Sequence, residues 1–358
     1  MMVDVWFFLV CSMFAAYVVL DGYDLGAGIV SPFVAKTDAQ RRVVLHTILP
    51  FWDGNEVFLV AGGATLYLAF PRLFPAYVSG FYLPVMIVLW LLMGRGLGIE
   101  MRHKLDQPLW NQLWDGIFFL SSALLVLFFG AALGNLVRGV SVDAGGEFFA
   151  PLWTNFRIGD EVGILDWYTV LVGVTALAVL ARHGALRIKA RTSESDADER
   201  QVGERSARLA EQLLPANVVL LLAASIATFW VRPNVDSGLR AGPLALGASI
   251  VAGAIAAAGI ACSAVLARRG RFAAAFYGSS IAIVGMFSCA CIGMYPYGLI
   301  ARVPARSVLL VDAAAAPYAL GVGLAWWVPG MAAVVAYSIF AHRRLIAGAH
   351  HGAHRPSS

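Results

Sequence analysis

The chain has 358 residues, of which 59% are hydrophobic and 13% are charged, and its mean hydropathy is +0.74. Soluble globular domains contain about 45–50% apolar and about 25% charged residues, so the composition excludes a soluble domain. It equally excludes disordered, collagen-like, coiled-coil and disulfide-stapled chains. The net charge is only +4, so nucleic-acid binding is not expected. The composition predicts a polytopic membrane protein.

The sequence predicts nine membrane-spanning helices, and therefore an all-α integral membrane protein. The hydrocarbon core of a bilayer is about 30 Å thick and requires roughly 20 apolar residues per helix. Suitable apolar runs occur, in chain order, at residues 5–30, 50–70, 76–93, 116–137, 165–182, 214–231, 244–266, 273–294 and 320–341. In the first run, Gly22 and Gly26 have the four-residue spacing that lets two helices approach closely.

The distribution of positive charge predicts the orientation of these helices. The segments on one side contain 19 Lys and Arg residues, and they are 31–49, 94–115, 182–213, 267–272 and the tail from 342. The segments on the other side contain 7, and they are 71–75, 138–164, 232–243 and 295–319. Because cytoplasmic segments carry the excess of Lys and Arg, the N-terminus is predicted outside and the C-terminus in the cytoplasm.

Two segments between the predicted spans are long enough to have structure of their own. Residues 187–213 interleave basic and acidic side chains, which is typical of a solvated helix, here on the cytoplasmic side. Residues 138–164 are rich in glycine and acidic, and we expect this external loop to cover the outer ends of the helices.

The cysteines predict neither a disulfide nor a metal site. All four lie inside apolar runs, and they are Cys11, Cys262, Cys289 and Cys291. Their spacing matches no metal-ligand pattern, and no pair lies outside the predicted spans. Cys289 and Cys291 are predicted to point about 200° apart on one helix.

The most informative residues are acids inside apolar segments. Asp21 and Asp24 lie near the inner end of the first predicted helix, three residues apart and so on one face. Asp53 and Glu56 lie in the first turns of the second, again three apart. Each ionised carboxylate deep in lipid costs about 2.5–3.5 kcal/mol on insertion scales. These four acids must therefore be paired, hydrated or protonated.

Two interpretations of the acids are open on spacing alone. In the first, they are structural: Asp53 and Glu56 complement the N-terminal dipole of a helix that begins near Pro50, and Arg95 and Arg102 neutralise the acids of the first helix. In the second, the acids line a path for protons or ions. The two interpretations are compatible for different members of the cluster.

Histidines are absent from the middle of the predicted helices. The seven are His46, His103, His183, His342, His350, His351 and His354. A b-type haem deep in the bilayer normally needs an imidazole or thioether from a helix face. Met86 and Met286 have suitable depth, but a single methionine more often fills a gap in packing. We therefore expect this chain to ligate no haem and no other metal.

The residues resemble subunit II of the cytochrome bd-type quinol oxidases. The strongest matches are residues 20–26 (LDGYDLG) and residues 50–57 (PFWDGNEV). Further matches follow in the family's order along nearly the whole chain, at residues 69–71, 80–82, 95–96, 100–102, 134–135, 138–139, 166–169, 183–185, 295–296 and 326–327. Phe58 and Asp312 depart from the pattern, which usually has Trp and Asn there.

The resemblance implies two four-helix bundles plus a peripheral ninth helix, paired with subunit I in a bacterial cytoplasmic membrane. Subunit I is expected to carry the haems, b and d or b alone, and the quinol site. This chain would then support assembly and part of the cytoplasmic proton or oxygen supply for a complex that oxidises quinol and reduces oxygen to water. Membrane lipids and a small single-helix subunit are further expected partners, and whether a structural quinone binds this chain is left open.

Roles for individual residues follow from the resemblance together with the spacing. Asp53, Glu56 and Asp21 are expected to form a proton path, with Asp53 gathering protons from water and Glu56 passing them inward. The other residues are expected to be structural. They would hold together the helix ends at the cytoplasmic entrance of this path, called the cytoplasmic mouth, and they are Trp52, Asp24, Asn55, Arg95, Glu100 and Arg102.

Two rival functions use the same residues. An ion-coupled secondary transporter could employ the four acids, although transporters commonly place such sites at broken helices near the midplane. A pure assembly scaffold would leave the acids as structural ion pairs.

Overall fold

The structure is a computed structural model that describes residues 1–143, 147–159, 161–232 and 235–352, without the side-chain surroundings of residues 239 and 341–352. Parts of the predicted external loop, residues 144–146 and 160, lie outside the described residues. The helices are α1 (Met2–Val34), α2 (Asp38–His46), α3 (Trp52–Ala69), α4 (Leu73–Gly80), α5 (Tyr82–Met101), α6 (Pro108–Arg138), α7 (Trp167–Arg191), α8 (Ala197–Val231), α9 (Pro243–Arg268), α10 (Phe272–Met294), α11 (Leu310–Ala313) and α12 (Pro317–Gly352). A short antiparallel pair, β1 (Tyr297–Leu299) and β2 (Val308–Leu309), and two 3-10 helices, Gly238–Arg240 and Pro304–Arg306, complete the described elements.

In the described part of the chain, eight helices are long and apolar enough to cross a membrane, and they are α1, α5, α6, α7, α8, α9, α10 and the Pro317–Phe340 part of α12. Eight of the nine predicted spans correspond to these helices. The remaining one, predicted at 50–70, corresponds to α3, which has 18 residues and does not belong to the eight. Its first turns are polar because they contain Asp53, Asn55 and Glu56.

Several helices begin or end at different residues from those predicted. The run at 76–93 is divided between α4 and α5, with Phe81 at the junction. Residues 197–213 of the charged segment and the sixth predicted span form one helix, α8, which continues through Pro215. Helix α7 extends beyond the predicted end at 182 to Arg191, so that His183 lies inside a helix. The predicted end at residue 182 left His183 just outside the helix, because an apolar run marks the lipid-facing part of a helix and not its hydrogen-bonded end.

Helix α1 is the centre of the fold and packs against α3, α6, α7 and α10. Its closest contact is with α7, where a Cβ at Gly26 would overlap the backbone of Leu180 and Gly184. The close approach predicted for Gly22 and Gly26 is therefore confirmed, but it occurs within this chain and not with a partner. Both glycines are buried against α7, so they are not available to another subunit.

A buried ion pair joins α6 to α7 at the end of the molecule that holds the N-terminus. Asp166 caps α7 by accepting hydrogen bonds from the backbone N–H groups of Tyr168 (2.8 Å) and Thr169 (3.0 Å). The same carboxylate pairs with Arg138 at the end of α6, and both side chains are fully buried. Arg138 also donates to the side-chain oxygen of Asn135 at 2.6 Å. Two separate stretches of the family resemblance thus meet at this position.

Candidate functional site

The predicted acidic residues come together at the opposite end of the molecule. Helix α1 carries Asp21 and Asp24, and α3 begins with the turn that carries Asp53 and Glu56. Helix α2 and the turn after it reverse the chain between α1 and α3, and these two helices pack side by side. The two pairs of acids, which lie some thirty residues apart in sequence, are therefore neighbours at the same depth.

The centre of this cluster is an ion pair between Asp21 and Arg95 of α5. The two terminal nitrogens of the guanidinium each donate to one carboxylate oxygen of Asp21, both at 2.6 Å. Both side chains are fully buried. A two-point contact of this kind is the strongest geometry available to Arg and a carboxylate. The structure therefore selects Arg95, of the two arginines considered from the sequence, as the partner of the first helix.

Glu56 and Asp53 connect this buried pair to the surface. A carboxylate oxygen of Glu56 lies 3.4 Å from a terminal nitrogen of Arg95, and the Glu56 side chain is 28% exposed. Asp53, one turn earlier in α3, is exposed. Arg95 is consequently shared between a buried carboxylate and a partly hydrated one. The half-buried ring of Trp52 covers the guanidinium from another side, with its centroid 5.9 Å away.

Asp24 is held by a different group, the amide of Asn55. The side-chain nitrogen of Asn55 donates to Asp24 at 2.7 Å and to the hydroxyl of Tyr23 at 2.8 Å. Asp24 is fully buried, and among the described residues no hydrogen-bond donor reaches its other oxygen. The amide thus joins α3 to two consecutive residues of α1, Tyr23 and Asp24.

Arg187 belongs to the same region and was missed. It lies in α7, is buried, and places its guanidinium 4.6 Å from the ring centroid of Tyr23 and 5.3 Å from that of Phe276. Cation–π contacts of this kind are more favourable when they are desolvated. The sequence predicted Arg187 in a solvated helix because it follows the apolar run at 165–182. Its position four residues after His183, on the same helix face, was the available signal.

Arg102 takes part in a separate network and does not contact the acids of α1. Its guanidinium donates to Asp115 of α6 and to Asp38 of α2, each at 2.6 Å. Asp115 also accepts from Arg41 at 3.0 Å, and Asp38 accepts from Arg42 at 2.8 Å. Sequence reasoning missed Asp38 and Asp115, because neither lies inside an apolar run.

The charges of this network act on Asp38, which lies outside the membrane-spanning segments. Burial alone would raise the pKa of the Asp38 carboxyl, but the hydrogen bond from Arg102 and the nearby charges of Arg102 and Arg42 outweigh it. The pKa of Asp38 is therefore below its usual value. Glu100, which was expected to help hold the same mouth together, is exposed on α5.

The histidines of the described helices do not fit a haem ligand. Of those whose side chains are described, only His183 is buried. One of its ring nitrogens lies 3.0 Å from the hydroxyl of Ser279 and the other 3.2 Å from the backbone oxygen of Val19. The ring is also stacked on Phe276 at 4.6 Å, so neither nitrogen faces open space. Among the described residues, no three His, Cys, Asp or Glu side chains form a candidate metal site.

The fold and the site together define a polytopic helical membrane protein with a compensated cluster of acids at one end. Comparison with known proteins gives the family. The family model for cytochrome bd terminal oxidase subunit II matches residues 2–345, and the chain belongs to that family. It is therefore a subunit of a bacterial respiratory oxidoreductase complex, and the predicted resemblance is confirmed. The comparisons give no support to the transporter.

Individual relatives agree with this assignment. A probable cytochrome oxidase subunit 2 from Haemophilus influenzae is 27% identical over 95% of this chain and 93% of that protein. Cytochrome bd ubiquinol oxidase subunit 2 from Bacillus subtilis is 33% identical over 62% of this chain and 61% of that protein. The fold is similar to that of a chain of the bd oxidase from Geobacillus thermodenitrificans, with a TM-score of 0.69 and 16% identity, covering 96% of this chain and 98% of the other.

Proposed function

We propose that this chain is the haem-free subunit II of an oxidase that oxidises quinol and reduces oxygen to water. In this proposal subunit I carries the haems, b and d or b alone, and the quinol site. The present chain supports assembly and part of the cytoplasmic proton or oxygen supply. Membership of the family supports the proposal, as do the similar proteins named as ubiquinol oxidase subunits. A structural quinone, bound lipids and a small single-helix subunit remain expectations.

The proposed architecture has nine spans in two four-helix bundles, with the ninth helix at the periphery. The packing of α1, α3, α5 and α6 supports one bundle, and the packing of α7, α8, α9 and α10 supports the other. Helix α12 contacts α1 and α3, and only a small share of its apolar part is buried within the chain. Helix α3 would cross with its polar first turns covered by α1 and α5.

The proposed orientation places the acidic cluster in the cytoplasmic half of the membrane. The cluster lies beside segments 31–49 and 94–115, which belong to the set that contains 19 of the 26 Lys and Arg residues. Oxygen reduction inside a membrane protein consumes protons, and a supply from the cytoplasm requires groups on that side that can gain and lose them. The observation that carries the proposal is the shared arginine: Arg95 lies between buried Asp21 and partly exposed Glu56. We propose that protons pass from Asp53 to Glu56 and then toward Asp21.

The test is the variant Asp53→Asn in the purified complex. Removing a negative charge from the mouth lowers the local proton concentration, so we expect oxygen uptake to slow by about tenfold. Haem content and subunit composition should be unchanged, because Asp53 is exposed. The matched control is Asp106→Asn, since the side chain of Asp106 is 93% exposed in a segment predicted on the same side and should not affect uptake. Full turnover of an assembled Asp53→Asn complex would move the proton path elsewhere, most directly into subunit I.

The assignment of the haems to subunit I has its own test. Single replacements of Met86 and Met286 by Leu should leave every haem band of the complex intact, because each side chain is expected to act only in packing. Loss of a haem band in either variant would show that this chain supplies a ligand. Purification in mild detergent should also recover a haem-containing partner chain, and an active monomer without one would contradict the proposed assembly.

A further inference from the structure

Helices α1 and α10 run antiparallel and meet near the end that holds the N-terminus. The hydroxyl of Tyr295, just after α10, donates to the carboxylate of Asp4 in α1 at 2.9 Å. One turn further into α1, the ring of Phe7 lies 5.9 Å from the ring of Tyr295. The next turn of each helix brings Cys11 of α1 opposite Cys291 of α10.

The side chains of Cys11 and Cys291 are neighbours that interact electrostatically, and both pack in one apolar cluster. Cys291 is buried, whereas Cys11 is half-buried. The other two cysteines lie apart from this pair. Cys289 faces α9, with its sulfur 4.0 Å from the backbone oxygen of Ser249, and Cys262 is exposed. Cys289 and Cys291 thus point in different directions, as the helical period predicted.

We propose that Cys11 and Cys291 form an oxidisable dithiol that closes to a disulfide between α1 and α10. The pair lies at the end of the molecule that the charge distribution predicts to be outside, and compartments outside the cytoplasm allow disulfides to persist. The sequence predicted no disulfide because no two cysteines lie outside the predicted membrane spans. Here two cysteines from opposite ends of the chain face each other inside the helical bundle.

The different burial of the two thiols assigns their roles in exchange with a small external disulfide. The thiolate of half-buried Cys11 attacks one sulfur of the oxidant, forms a mixed disulfide and releases the first small thiolate. The thiolate of buried Cys291 then attacks the sulfur of Cys11 and releases the second. The two protons lost by the cysteines are taken up by the two released thiolates. The pair is oxidised by two electrons, and the small disulfide is reduced by two.

The test uses the assembled oxidase complex with Cys262→Ser and Cys289→Ser, which leaves only the proposed pair. After incubation with oxidised glutathione, the chain is unfolded and its remaining thiols are alkylated and counted by mass spectrometry. We expect the loss of both free thiols, with the Cys11 and Cys291 peptides joined. The further change Cys291→Ser should stop the reaction at one glutathione on Cys11. The alternative further change Cys11→Ser should give no adduct, because the remaining thiol is buried.

Two results would overturn the proposal. One is that both thiols are still alkylated after oxidation, and the other is that glutathione stays on Cys11 while Cys291 remains free. If the serine variants fail to assemble, peptide mapping of the unaltered complex makes the same distinction. The linked peptides must then contain Cys11 and Cys291, and a link through Cys289 or Cys262 in their place would refute the assignment.

Discussion

The variant Asp21→Asn tests whether the buried ion pair with Arg95 holds α1 against α5. Both hydrogen bonds are 2.6 Å long and both side chains are fully buried. Removing one partner of such a pair costs about 3–5 kcal/mol, because the remaining charge stays buried without compensation. Glu56, at 3.4 Å from Arg95, would retain part of the compensation. We therefore expect Asp21→Asn to lower the unfolding free energy by about 3 kcal/mol, at the low end of that range.

Two further variants separate the charge effect from a packing effect. Asp21→Asn combined with Glu56→Gln should approach the upper end of the range, about 5 kcal/mol, because Arg95 then has neither carboxylate. Replacing both partners, as in Asp21→Leu with Arg95→Met, should cost much less than the single change, since no buried charge remains. The measurement is chemical denaturation of the purified complex in detergent micelles, with Asp106→Asn as the exposed control. A loss below about 1 kcal/mol for Asp21→Asn would refute the reasoning.

Three other predictions concern topology, packing and pH. Reporter fusions after Arg191 and after Asp143 should report opposite sides of the membrane, and the same side for both would contradict the proposed orientation. Gly26→Leu should reduce stability by about 3 kcal/mol or prevent assembly, because the backbone of α7 cannot move aside, whereas Gly116→Leu, with open space around it, should be tolerated. The lowered pKa of Asp38 means that its stabilising contribution is present above the ordinary aspartate pKa, about 3.9, and is lost as the pH falls below it. Asp38→Asn should therefore weaken the dependence of thermal stability on pH below about pH 4, and an unchanged dependence would contradict this linkage.

The apolar runs predicted the helices well, because hydropathy depends on local composition alone. They predicted the ends poorly, since a helix continues wherever its backbone hydrogen bonds continue. Helix α8 shows this most clearly: its charged first half and its apolar second half were predicted as separate elements, although Pro215 between them does not end the helix. His183 was misplaced for the same reason.

The site was predictable in its composition but not in its pairing. The i, i+3 spacing brought Asp21 and Asp24 to one face, yet spacing could not decide between Arg95 and Arg102 as their partner. That choice depends on how α5 packs against α1, which is a long-range property. The same limit explains why Cys11 and Cys291 were not connected, and why the spacing of Gly22 and Gly26 predicted a close helix contact without identifying α7 as the helix they contact.

Arg95 has more negative charge around it than a fixed ion pair requires. One carboxylate is enough to compensate one guanidinium, and Asp21 provides it with two hydrogen bonds. Glu56 is therefore in excess, and its 28% exposure connects it to water on the side of Asp53. A second carboxylate in this position makes α3 less apolar and harder to place in a membrane. Because the buried pair does not require Glu56, we expect Glu56→Gln to slow oxygen uptake with little effect on the fold.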